Sequence, residues 1–283
     1  MSRHALRTRG RDDDTVQLYL GRRVGWAGST VSTQIRVLTL RSLRTAFGDY
    51  RLVFFGLLQP VVMLLLFSQV FSGIGNLPGV VEYQGYINYL MPATLVNIAM
   101  TTAMSSGVGM LTEIYTGFIG RLRTMPISLF SVLVARTLSD AVRLAVQVVV
   151  AIAVAVVVLD FTPAGTGGVV AAVALTIVFG WGMGWVFVAL ATWQGKPETM
   201  QAISFIVMFP LMFASSAYMP VEAMPGWIKV VSTVNPVTYA IDAIRALCLG
   251  KPVGWALAAA IGLVAATATA GAVIAARNFR RTR

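Results

Sequence analysis

Side chains able to do covalent or acid–base chemistry are scarce in this chain. One histidine, His4, and one cysteine, Cys248, are the whole supply of imidazole and thiol. That leaves histidine-based catalysis and His/Cys metal centres with almost nothing to work with, and an intramolecular disulfide has no second cysteine. Phosphate chemistry fares no better. A P-loop needs G-x-x-x-x-G-K-[ST], so that backbone amides and a lysine cradle phosphates while a hydroxyl holds magnesium. The two Gly-Lys pairs, Gly195-Lys196 and Gly250-Lys251, are each followed by proline. No catalytic residue, no metal site and no cofactor held by this chain are expected. What remains are charges in apolar surroundings. Asp140 with Arg143, and Asp242 with Arg245, stand three residues apart, a spacing at which opposite charges pair on one helix face.

Two segments carry more pattern than a plain loop requires. The first is EIYTGFIGRLRTMPIS, residues 113–128, between two strongly apolar stretches. Tyr115, Phe118, Ile119 and Leu122 fall at i, i+3, i+4 and i+7, one apolar stripe on a short helix over 113–126. Arg121 and Arg123 point elsewhere, Gly117 and Gly120 lie beside the stripe, and Pro126 stops the helix. Such a stripe suits a cleft on a partner, or a helix lying on lipid. The second segment is 209–250. Pro220 and Pro225 break the chain, and Trp227, Val230, Val231 and Val234 then recur at helical spacing. Asn235-Pro236 reads as an N-cap followed by proline at the first helical position, starting a second helix that carries Asp242 and Arg245. Two short helices directly before an apolar run predict a re-entrant hairpin over 220–249.

The elements that must position these segments follow from composition. Of 283 residues, 57% are hydrophobic and 12% charged, with a mean hydropathy of +0.77, so an all-α integral membrane protein is expected. At about 20 apolar residues per crossing, six spans are predicted near 52–71, 87–111, 138–159, 169–193, 199–218 and 253–275. The net charge of +11 gathers on the flanks of those runs: before residue 52, in 113–137 and after 276. This is the positive-inside pattern, which puts both termini and 113–137 in the cytoplasm and argues against a nucleic-acid partner. Residues 1–30 read as a flexible cytoplasmic tail without a cleavable leader, and 31–283 as the transmembrane domain. Residues 31–48 are expected to form an interfacial helix against membrane lipids, with Val31, Ile35, Leu38 and Ala46 on one face and Arg36, Arg41 and Arg44 broadly opposite, although Leu40, Leu43 and Phe47 fall among the arginines. Gly180 and Gly184, and the row Ala258, Gly262, Ala266 and Ala270, allow close helix packing. Asn97, Thr101 and Ser105, with Met208 and Met212, are candidate wall residues of a substrate path, because weak polar groups beside pliable methionines suit an amphiphile. Ordinary hydroxyl bonding between helices is the simpler account of each.

The pattern E-x-x-x-G-x-x-x-R-L-x-x-x-P-[IV]-S, met by Glu113, Gly117, Arg121, Leu122, Pro126, Ile127 and Ser128, resembles the cytoplasmic loop of type-2 ATP-binding-cassette exporter permeases. The segment FPLMFASSAYMPVEAMPGWIKVVSTVNPVTYAIDAIRAL is similar to that family's signature near the end of its membrane domain, above all in the daunorubicin-resistance branch. The likeness runs over roughly 31–275. It implies a plasma-membrane subunit of a bacterial cell that pairs with a second copy or a paralogue and docks two copies of a separate ATPase, which would hold ATP and magnesium. It further implies that Tyr115, Phe118, Ile119 and Leu122 of the 113–126 helix fill a cleft on the ATPase, oriented by Glu113 and Arg121. Export of an amphipathic drug, polyketide or lipid is the expected function. Polysaccharide export is the alternative within the family, and an ion-driven carrier the alternative outside it, although such carriers usually show inverted repeats and mid-membrane ionisable groups.

Overall fold

The computed structural model describes residues 30–48, 50–70, 73, 80–83, 85–117 and 129–281. Among these every regular element is helical. The order is α1 (Val31–Gly48), α2 (Tyr50–Val70), α3 (Tyr86–Tyr115), α4 (Leu129–Val158), α5 (Thr166–Ala191), α6 (Pro197–Phe213), α7 (Gly226–Val234), α8 (Pro236–Cys248) and α9 (Gly254–Arg281). Short single-turn helices at Val81–Tyr83 and Val221–Ala223 join α2 to α3 and α6 to α7.

Helices stand at all six expected span positions. Four of them, α3, α4, α5 and α9, are long and apolar enough to cross a membrane, so the protein is a multi-pass membrane protein. α2, Tyr50–Val70, has 21 residues, and α6, Pro197–Phe213, is a shorter apolar helix. At 17 residues α6 extends about 25 Å, a little less than a hydrocarbon core of about 30 Å. It ends at Phe213, and residues 214–217 form a turn where the fifth span was expected to run on to 218.

α3 and α5 are the inner helices. Their facing sides are buried, with Met91, Leu95, Ala99, Phe179 and Phe187 all at 3% exposure or less. α4, α6 and α8 pack around them and α9 covers α5. The outer faces of α4 and α9 stay apolar and exposed, with Val146, Val149, Val157, Trp255 and Ile261 pointing away from the core, as helices facing lipid do. Backbones approach closely where glycine allows it. A β-carbon at Gly107 on α3 would lie 2.6 Å from the Phe187 carbonyl oxygen of α5, and one at Gly271 on α9 would lie 2.7 Å from the Trp185 backbone.

α1 spans the residues expected of the interfacial helix and packs on α4, where the Thr39 hydroxyl donates to the Ala135 carbonyl at 3.3 Å. Gln34 and Thr39 are buried against the bundle, whereas Val37 and Leu40 are exposed together with Arg41 and Arg44. The arginines therefore share their face with apolar side chains, Leu40 and Phe47 among them, the imperfect segregation that the spacing indicates.

Candidate functional site

Among the described residues, charged side chains of this apolar bundle gather in a polar network at each end of α3. The first joins the last turns of α3 to the first half of α4. The Arg136 Nη1 of α4 meets Glu113 Oε1 of α3 at 2.5 Å, and its Nε lies 3.5 Å from Asp140 Oδ2 one turn further on. Asp140 Oδ1 is in turn 3.4 Å from Arg143 Nη2, the pairing expected from their spacing. The guanidinium of Arg136 rests on Gly109, where a β-carbon would come within 1.9 Å of Nη2. Two cations and two anions balance, and none is more than a third exposed. Partnered charges of this kind can enter the membrane boundary, where an isolated one is expensive.

The second network fastens the end of α6. Its centre is Arg245 of α8, 4% exposed. Arg245 donates from Nη1 to Asp242 Oδ1 at 2.8 Å, from Nη2 to the Ser216 carbonyl at 2.7 Å and from Nε to the Tyr89 carbonyl at 3.2 Å. Its guanidinium carbon lies 3.9 Å from the centre of the Tyr89 ring, a cation–π contact that adds to the charge-assisted bonds. The Tyr89 hydroxyl donates to the same Ser216 carbonyl at 2.9 Å, and Ser216 Oγ donates to Asp242 Oδ1 at 2.6 Å. Asn235 completes the set. Its Oδ1 accepts from the Val237 N–H at 3.0 Å, so it caps α8 with Pro236 behind it as the first helical residue. Its Nδ2 donates to the carbonyls of Leu211 and Ala214 at 2.7 and 2.8 Å. The last carbonyls of a helix have no partner within it. Here Asn235 supplies two of them, at Leu211 and the cap residue Ala214, while Arg245 holds the Ser216 carbonyl of the following turn, and α6, α8 and α3 are held as one corner.

The profile of the ABC-2 type transporter family matches residues 33–249, a stretch that contains both networks. The chain belongs to that family.

Individual ABC-2 relatives agree. The chain is 30% identical over 212 residues, 74% of each protein, to the daunorubicin resistance ABC transporter permease protein of Streptomyces coeruleorubidus. It is 25% identical over 236 residues, 83% of each, to a protein of Mycobacterium tuberculosis named "Probable doxorubicin resistance ABC transporter permease protein". The ABC-2 chain is thus a transport permease subunit.

Within this permease, the 113–126 segment is placed only in part. Glu113 and Tyr115 form the last turn of α3, which runs four residues past the expected boundary at 111. Gly117 follows with a φ of +71°, a left-handed turn that ends the helix there. Tyr115 lies in α3, before the turn at Gly117. Phe118, Ile119, Arg121, Leu122 and Pro126 lie outside the described residues. Glu113 finds its partner inside the chain, on Arg136, and α4 starts nine residues before the expected 138. That pairing lets both helices continue through charged positions.

In the 220–249 segment the break at Asn235 is where the sequence put it. Trp227, Val230, Val231 and Val234 form one apolar face of α7, and all four are exposed. Pro225 stands just before that helix. α8 is the packed half, touching α3, α5 and α9.

Two of the residues read as a substrate path spend their hydroxyls within their own helix. The Thr101 hydroxyl donates to the Asn97 carbonyl and the Ser105 hydroxyl to the Thr101 carbonyl, each at 2.9 Å along α3. Met212 is buried and Met208 half-buried. Tyr89 escaped the sequence reading, and neither Ser216 nor Arg136 was expected in these networks. A tyrosine and a serine in an apolar run carry no local mark of a partner more than a hundred residues away.

Proposed function

We propose that this permease exports an amphipathic drug, polyketide or lipid, energised by a separate ATPase that holds ATP and magnesium. The observation that carries the reading is the 30% identity over 74% of both chains to a daunorubicin resistance permease. Two ATPase copies dock on the cytoplasmic side, and a second permease, identical or paralogous, completes the pathway. Residues 31–283 are the transmembrane domain, crossing a bacterial plasma membrane six times with both termini inside. The arginines flanking α2, α4 and α9 support that orientation. α7 dips its exposed apolar face into the outer leaflet while α8 stays packed, forming a hairpin that does not cross.

α3 ends at the Gly117 turn, and Phe118, Ile119, Arg121 and Leu122 follow it in the sequence. These residues dock in the ATPase, with Phe118 and Leu122 each worth roughly 1.5–3 kcal/mol if fully covered. Phe118→Asp is expected to release the ATPase on co-purification and abolish cargo-stimulated ATP hydrolysis in liposomes, while insertion of the permease is unchanged. Full assembly and stimulation in that variant would refute the docking role.

A further inference from the structure

A small crevice between α3, α4 and α5 reaches the surface beside Trp181, which is 40% exposed. Its free space, about 10 Å³, matches one water or one hydroxyl group. Thr102, Ser106, Thr137 and Asp140 line its polar side. Ser106 is 1% exposed and its hydroxyl has no hydrogen-bond partner, and the buried Oδ2 of Asp140 accepts no hydrogen bond beside its 3.5 Å ion pair with Arg136 Nε. Buried polar atoms are ordinarily satisfied, so two of them on one crevice point to something that binds there. Gly184 supports this. A β-carbon at Gly180, one turn earlier, would lie 2.3 Å from Leu144, but one at Gly184 would meet nothing within 4 Å. The second glycine of the pair leaves room on the crevice wall and brings no backbone closer.

The inventory of donors and acceptors selects the ligand. Thr102 donates to Gln147 Oε1 at 3.0 Å and Thr137 to the Val134 carbonyl at 3.2 Å, so both keep only lone pairs to offer. Asp140 Oδ2 accepts, and Ser106 can do either. Charge is already balanced, because Arg136 and Arg143 flank Asp140 and Glu113 meets Arg136. A further ion would lose its hydration with no counter-charge left to meet it. We propose that the crevice binds one neutral hydroxyl group, either a water or the hydroxyl end of an amphipathic cargo. It donates to Asp140 Oδ2 and accepts from Ser106, with the apolar remainder of a cargo lying against Trp181. The cargo form rests on the export reading; the water form does not.

X-ray radiolytic labelling of the full-length permease in lipid nanodiscs tests this, because a bound water generates hydroxyl radicals next to otherwise buried side chains. Leu144 lines the crevice and is 1% exposed, while Leu95, at 0%, lies away from it. Leu144 is expected to label several-fold faster than Leu95. Gly184→Ala, whose methyl meets no neighbour, and Ser106→Ala are each expected to bring it down to the Leu95 rate with the unfolding temperature retained. In a second arm, protection of Leu144 by decan-1-ol but not by decane assigns the site to a cargo hydroxyl. Labelling that persists with both assigns it to water alone. Leu144 as protected as Leu95 in the wild type, or labelling unchanged in Gly184→Ala, overturns the site. Absence of export activity in the wild type with Leu144 labelling intact would count against the export reading only.

Discussion

Asn235 acts through both ends of one amide. The oxygen caps α8, and the nitrogen ties down two carbonyls at the end of α6. Replacing an N-cap usually costs about 1 kcal/mol, and stranding a buried acceptor costs about 1–3 kcal/mol. Asn235→Asp keeps the cap but sets a carboxylate against the Leu211 and Ala214 carbonyls. It is therefore expected to destabilise the protein at least as much as Asn235→Ala, read as the detergent-solubilised unfolding midpoint. An Asp variant as stable as wild type would show that the cap alone matters. The cap was legible in the Asn-Pro dipeptide, since capping is local chemistry. The second role was not, because backbone carbonyls have no sequence signature and these lie 24 and 21 residues upstream. The Asp242–Arg245 pair was readable from its spacing for the same reason as the cap; the Tyr89 and Ser216 partners of Arg245 come from other elements and were not.

Helices, more than single residues, show where apolar patterning is informative and where it is silent. Hydropathy placed six helices, yet it cut α3 and α4 short at Glu113 and Arg136, because a window sees two charges and not the ion pair they make. Small-residue rows marked close packing without saying which member makes the contact. In α5, Gly182 approaches Val264 of α9 while Gly184 touches nothing, and in α9 the contact falls at Gly271, outside the row that contains Gly262. Overpacking costs about 1–3 kcal/mol, whereas alanine in place of an unhindered helical glycine gains up to about 1 kcal/mol. Gly107→Ala and Gly271→Ala are thus expected to lower the unfolding midpoint and Gly262→Ala to hold or raise it. Equal effects at 271 and 262 would show that α9 does not sit on α5 as described.

At the scale of the whole molecule, the orientation read from charge is open to a direct test. Cys248 is buried, and burial pushes its thiol up to about 12, so at neutral pH it stays protonated and silent toward maleimides. A cysteine placed at Arg121 is expected to react with an impermeant maleimide only after the cells are opened. Reaction in intact cells would invert the topology. The corner at Arg245 has a consequence for how the chain is made. Synthesis runs from the N-terminus, so α3 and α6 leave the ribosome before the side chains that complete the corner exist. The Ser216 carbonyl waits 29 residues for Arg245, and the Leu211 carbonyl 24 for Asn235. During that interval the trailing end of α6 has only α3 to hold it, through the Tyr89 hydroxyl on the Ser216 carbonyl, and its Leu211 and Ala214 carbonyls must find water or the insertion machinery. A chain stopped after Val234 would leave it in that condition permanently, so the fifth apolar helix becomes a finished part of the protein only once α8 has been translated.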